Sequence, residues 1–476
     1  LFGPVPELKN YFCCNGVIPG FSQSGGLGLL AAEWIIEGET KYDMFAWDVA
    51  RFGAWASKEF TKSRVGDQYA HRFSIHFPNE ERSAGRPVRT RPIYQMQKDM
   101  GAVMGLNYGW EHPLWFAETP GVKDTNGFTR QNWFEPVGKE CKMLREKAGI
   151  IDISNFAKYV VQGKKGRDWL DAVFANKMPI EVGRSCLTPL ISRRGGLAGD
   201  FTVTLIAQDE YWIFGSGMAE RYHKRFFDSV PLPEGVRFDS RTEAVCGFNL
   251  AGPLSRKILQ RLTNTSLNNE DFQFMRSKCA DLAGIDVKML RVSFTGDLGW
   301  EVHCNTADQK ALYTALLETG KEFGVGPVGS RALMAMRVEK GYGSWSREYS
   351  PEYWPHEQGM DRLCKMDKDF LNKAALQAVL AQEPREQMVL LHLNEAAVTA
   401  SNADATGGEP VFKDGNGVGR VTSGAYGYSV GLSLALAMVK DVGPGDEVEV
   451  MVLGQPHKAK ILHQPPFDPT GKKLRA

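Results

Sequence analysis

Gly195-Gly196-Leu197-Ala198-Gly199-Asp200-Phe201-Thr202-Val203-Thr204-Leu205 runs from a glycine turn into a strand in which Phe201, Val203 and Leu205 alternate with Thr202 and Thr204. Period two sends one set of side chains to a core and the other to a more polar face. Gln208-Asp209-Glu210 then turns the chain into a second strand, 211–214. A similar pair is expected at 289–294 and 300–304, joined by Gly296-Asp297-Leu298-Gly299. Residues 331–340 have helical spacing, with Leu333, Met334 and Val338 on one face. Near the end, 389–393, 410–413, 419–423 and 447–453 read as short strands, with Asp414-Gly415 and Asn416-Gly417 as hairpin turns. That spacing predicts a small β-barrel of about a hundred residues. The fold class is α+β.

Upstream, the chain reads strand, glycine loop, helix: Tyr11-Phe12-Cys13-Cys14, then Gly16 to Gly28, then 29–36 ending near Gly38. Glycines at a helix start let backbone N–H groups approach a planar, electron-rich edge such as flavin N1–C2=O. Gly25, Gly26 and Gly28 are the candidates, against the simpler reading of a plain turn. From 41 to 133 the chain is aromatic and Arg-rich, and periodicity says little.

At 476 residues the chain exceeds one hydrophobic core, so two or three domains are expected. Its 57 basic and 56 acidic side chains cancel to +1, which gives no basic excess for nucleic acid. The eight cysteines lie scattered without a C-x-x-C pair and fit a reducing compartment. The apolar run at 27–36 is too short to span a bilayer. No His-Glu-x-x-His or zinc-spaced Cys/His set is present, so no metal site is expected. The Gly324-Val325-Gly326-Pro327-Val328-Gly329 match to a dinucleotide motif follows a helix-like segment, and its Pro lacks an amide donor. It reads as a loop before a helix.

Two carboxylates stand out. Asp200 lies between a glycine turn and a strand, a place where a solvated turn residue is the ordinary reading. Glu301 falls opposite Trp300 and Val302 in its strand, and an inward Glu needs a partner. Arg331, at a helix start, is the expected one, either around a ligand or as a structural ion pair.

The joint order of these segments resembles the dimethylglycine dehydrogenase, dimethylglycine oxidase and sarcosine dehydrogenase family over essentially the whole chain. Gly20 to Gly38 with Trp47-Asp48-Val49-Ala50-Arg51-Phe52-Gly53 is similar to the end of that family's FAD domain. Gly85-Arg86-Pro87, Gly109-Trp110-Glu111 with Trp115-Phe116, and Asn132-Trp133-Phe134 resemble its linking segment. From Glu135 onward the chain resembles the aminomethyltransferase of the glycine cleavage system, through Ile151-Asp152-Ile153-Ser154, Gly195-Gly196 to Thr204, Gly296 to Glu301, Arg337-Val338-Glu339-Lys340 and Pro466-Phe467-Asp468-Pro469.

The resemblance implies an FAD-domain tail at 1–55, a central linking segment at 56–134, a folate-binding domain at 135–375 and a barrel at 385–470. It implies a chain truncated at its N-terminus, with FAD and the amine site in the intact protein. The function it implies is oxidation of an N-methylated glycine, such as dimethylglycine or sarcosine, and delivery of the one-carbon unit to tetrahydrofolate as 5,10-methylenetetrahydrofolate. By motif, Glu301 matches the pterin carboxylate, Arg331 the folate-binding Arg, and Asp200 the catalytic aspartate by N5/N10. Thr202 follows on the face of Asp200, and Phe294 lies in the folate site. Relatives carry Tyr at the positions of Leu187 and Phe294, so two hydroxyls are missing here. An electron-transfer flavoprotein is the implied protein partner, with no nucleic acid and no membrane, and the implied compartment is bacterial cytoplasm or mitochondrial matrix. The competing readings are a regulatory protein similar to the regulatory subunit of pyruvate dehydrogenase phosphatase, and a stand-alone aminomethyltransferase.

Overall fold

In the computed structural model, which describes residues 1–476, the strand after the Gly195-Gly196 turn is Leu197–Ala207. It pairs with Ser185–Ile191 and Glu210–Gly215, and the sheet continues through Ala157–Gln162 to Arg237–Ser240, antiparallel throughout. The alternation is as read. Phe201, Val203 and Leu205 enter a core with Tyr159, Trp169, Phe174 and Phe227, while Asp200 and Thr202 are the less buried residues between them.

The turn itself is crowded. Gly195 has φ +80°, and a Cβ on Gly196 would stand 2.0 Å from the Pro351 carbonyl oxygen. Gly196→Ala is therefore expected to destabilise the fold by about 2 kcal/mol, because neither backbone can yield freely. A denaturant midpoint equal to wild type would contradict this.

This sheet belongs to a unit built from Leu1–Ala56, Phe156–Arg241 and Ser344–Arg385. At its N-terminus the sequence reading needs correction. The glycine-rich stretch is not a loop: one helix runs Gly20–Glu37 and stops at Gly38, φ +79°. Leu27, Leu30, Ala31 and Trp34 follow helical spacing and pack with Phe2, Phe12 and Met44. That stripe overrides the cost of interior glycine, roughly 1 kcal/mol each.

The second unit comprises Ser57–Asn155, Thr242–Gly343 and Glu386–Ala476. Its six-stranded sheet runs in the order Ser277–Leu282, Ile285–Leu290, Gly299–Asn305, Val245–Ala251, Gly149–Asp152, Gly326–Val328, with only the last pair parallel. The strand expected at 289–294 ends at Leu290, so Phe294 lies in the connection. The shift has a local cause: Ala283 and Gly284, both at positive φ, make a turn that pairs Ile285–Leu290 first with the strand before it. The loop read at 324–329 contains the short strand Gly326–Val328. The aromatic region holds a hairpin, Ala102–Asn107 with Trp110–Phe116, that periodicity missed; five of the seven residues in its second strand are buried, so no alternation shows.

The barrel is closed by six strands: Gln387–Leu393, Leu432–Val439, Asn416–Gly427, Pro410–Lys413, Glu447–Val452 and Gln455–Ile461. Asp414-Gly415 makes the expected turn, with both φ positive, whereas Asn416-Gly417 already belongs to the next strand. Leu432–Val439 shows no alternation in the sequence, because seven of its eight residues are buried, Ser433 among them.

Several motifs that carry the resemblance meet in one polar network of this unit. Arg145 bonds Asp297 and Glu339, lies 3.5 Å above the ring centre of Phe467, and leaves Glu339 to accept from the Ser429 amide. Lys340 pairs with Asp468 at 3.0 Å. These buried, mutually paired charges act on structure rather than on a ligand.

Candidate functional site

Asp200 stands opposite Pro189 in the neighbouring strand. Thr202, two residues on, lies between Leu187 and Phe214. The carboxyl thus sits in a largely apolar frame and forms no ion pair. Burial pushes its pKa up to about 6, opposed only by its own backbone N–H. His223 packs from the core side, its Nε2–H donating to the Ala198 carbonyl at 3.1 Å. Burial holds that imidazole down to about 3, so it is neutral and offers Asp200 no counter-charge. An acid poised near neutrality on a rigid strand is suited to exchanging a proton or meeting a developing cation. The ordinary turn-residue reading fails here, since Asp200 is inside the strand.

In the second unit, Glu301 projects from Gly299–Asn305 on the face opposite Trp300, Val302 and Cys304, which enter the core. Its side chain is 23% exposed, and His303 Nε2, on the same face, is 3.4 Å away. Asn249 lies directly across in the adjacent strand, with its Oδ1 buried and without a donor from the chain.

The expected Glu301–Arg331 pair is not formed. Arg331 instead makes a bidentate pair with Asp124, at 3.0 and 2.6 Å, and covers Trp133 at 4.9 Å. Trp115 Nε1 donates to the same Asp124 at 2.6 Å. Fork geometry explains the preference, because one carboxylate takes two parallel N–H groups from one guanidinium. Asp124→Asn should remove the charge of that pair and cost about 2 kcal/mol, detected as a lowered thermal midpoint. An unchanged midpoint would show that the pair contributes nothing to the fold.

Phe294 stacks on Tyr342, with ring centres 6.0 Å apart. Gly25, Gly26 and Gly28 do not suit the flavin role. They lie in the interior of Gly20–Glu37, where backbone N–H groups are bonded to the preceding turn, and only the first turn of a helix has free donors. The residues sequence reasoning missed are Asp124, His303 and Asn249, together with the apolar frame of Asp200. Each is defined by a cross-strand or long-range neighbour, which no local spacing marks.

Sheet, barrel and carboxylate-bearing strands together define a glycine-cleavage T-protein type of architecture. The chain belongs to the GCVT N-terminal domain family, whose model matches residues 93–368. Residues 37–90 match the FAD dependent oxidoreductase central domain, and 387–468 the glycine cleavage T-protein C-terminal barrel domain. Mitochondrial dimethylglycine dehydrogenase of Mus musculus is 33% identical over 98% of this chain and 54% of its own length. Mitochondrial sarcosine dehydrogenase of Mus musculus is 28% identical over 100% of this chain and 57% of its own. The chain thus spans about half the length of these relatives. The aminomethyltransferase T of the glycine cleavage system from Bartonella henselae has the same fold, at TM-score 0.69 and 21% identity over 80% of this chain and 98% of that one. No helix is long and apolar enough to cross a membrane.

Proposed function

We propose that this chain is the tetrahydrofolate-handling part of an FAD-dependent demethylase of an N-methylated glycine, dimethylglycine or sarcosine, and forms 5,10-methylenetetrahydrofolate. The observation that carries the reading is that two strand-borne carboxylates, Glu301 and Asp200, are left without a permanent cationic partner. Carboxylates at such positions are normally paired, so their state calls for a ligand.

Glu301 fits a pterin. A pterin edge presents N3–H and a 2-amino group side by side, and a carboxylate accepts both in parallel bonds. His303 steadies that carboxylate. Thr202 adds a hydroxyl beside Asp200, and Phe294 an aromatic face. Asp200 takes up or returns the proton that folate nitrogen exchanges as a one-carbon unit is attached, and in its ionised form stabilises a cationic intermediate. Arg331 is the candidate for the folate carboxylates, in which role it would share its guanidinium with Asp124. The helix glycines offer no N–H to FAD, so no step through flavin is assigned to this chain; the oxidative half, and an electron-transfer flavoprotein as its partner, belong to the intact enzyme in this reading. A mitochondrial matrix or bacterial cytoplasmic location accords with it.

The test is a titration with 5-formyltetrahydrofolate followed by tryptophan fluorescence. Saturable quenching with a raised thermal midpoint is expected, and no change at millimolar ligand would remove the reading.

A further inference from the structure

Asn249 carries a polar group that the fold leaves unused. Its neighbours in Val245–Ala251, Phe248 and Leu250, enter the core, so period two turns Asn249 to the opposite face, the one that bears Glu301. It stands in mid-sheet, directly across from Glu301 on one side and Ile151 on the other, and is 3% exposed. Its Nδ2 donates to the Val292 carbonyl at 3.4 Å, two residues before Phe294. Turning the amide over would set two oxygens against each other, so this contact decides that Oδ1 is the free acceptor. That oxygen is buried and receives no donor from the chain. A buried acceptor without a donor is a cost that an apolar side chain would avoid.

The pterin edge has a donor to match. Its 2-amino group carries two N–H bonds, and Glu301 takes only one of them, together with N3–H. The other points away from the first and needs its own acceptor once water is excluded. Two acceptors about 2.9 Å from one trigonal nitrogen stand about 5 Å apart, close to the spacing of directly opposed side chains on one face of an antiparallel pair. Resting on the reading that Glu301 holds a pterin, we infer that Asn249 is a specificity-determining residue, its Oδ1 accepting the second 2-amino N–H. Glu301 and Asn249 together then recognise three N–H donors in a row. A 2-amino-4-oxo heterocycle presents that row, and a ring with oxygen or an alkyl group at position 2 does not.

Calorimetric titration of wild type and Asn249→Leu with 5-formyltetrahydrofolate, and with its analogue methylated once on the 2-amino nitrogen, tests the assignment. The analogue keeps one amino N–H for Glu301 and puts a methyl group where Oδ1 would accept. Wild type should bind it at least about tenfold more weakly than the parent. Asn249→Leu should lose about tenfold on the parent and hold the two ligands within about threefold of each other. A merely structural role would weaken both ligands alike and leave the preference intact; that result, or unchanged parent affinity, would overturn the assignment. Asn249→Ala gives the same comparison if the leucine variant does not fold. Failure of the pterin reading looks different: wild type would not bind 5-formyltetrahydrofolate at all, and the role of Asn249 would fall with it.

Discussion

Glu301→Gln is expected to lower affinity for 5-formyltetrahydrofolate by about a hundredfold. The substitution keeps size and strand position but turns a double acceptor of charge-assisted bonds into a group with one acceptor and one donor. The donor then faces the pterin N–H edge. Hydrogen bonds to a charged acceptor contribute roughly 1.5–3 kcal/mol each, so losing the pair dominates binding. Glu301 is partly exposed, and its one ionic neighbour is an imidazole charged only when protonated. The fold should therefore tolerate the change, and the thermal midpoint without ligand should stay near wild type. Calorimetry on both proteins separates the two effects. Retained affinity would remove Glu301 from the ligand.

The second large effect is kinetic. Asp200→Asn should slow formation of 5,10-methylenetetrahydrofolate from tetrahydrofolate and formaldehyde, above the uncatalysed background, by about 10²- to 10³-fold. Folate affinity should change little. In wild type the rate should rise through about pH 6, where Asp200 ionises, and level off above it; in Asp200→Asn that step should vanish. Stability should move the other way. A folded-state pKa raised above the unfolded value contributes stability that is fully present below the unfolded pKa and lost as pH rises through the folded one. Wild type therefore gives up stability between about pH 4 and pH 6 through this group, and Asp200→Asn does not. At pH 7 the variant should be more stable by up to about 3 kcal/mol, the two converging near pH 4. A variant both slow and destabilised would mark Asp200 as structural.

Much of this was legible in the sequence, for identifiable reasons. Strands with one buried and one open face, such as Leu197–Ala207 and Gly299–Asn305, announce themselves by alternation, and alternation placed Asp200 with Thr202 and set Glu301 against Trp300 and Val302. Strands buried on both faces, Trp110–Phe116 and Leu432–Val439, gave no such signal. The glycines of Gly20–Glu37 mimicked a loop, because the stripe that holds the helix, Leu27 to Trp34, draws its partners from Phe2, Phe12 and Met44. The partner of Arg331 is hidden from sequence spacing for a similar reason. Asp124 is 207 residues away in sequence, within a stretch that carries no periodic pattern. What spacing encodes is a residue's own face; what that face meets is settled by topology.

The contact between Glu301 and the pterin edge is tested most directly by a two-by-two binding cycle. Wild type and Glu301→Gln are each titrated with tetrahydrofolate and with its analogue bearing a 2-methyl in place of the 2-amino group. Wild type should bind the analogue at least about tenfold more weakly than the parent compound, and the variant should scarcely distinguish the two. Equal discrimination by both proteins would mean that the 2-amino group is read elsewhere, and the assignment of Glu301 would be wrong.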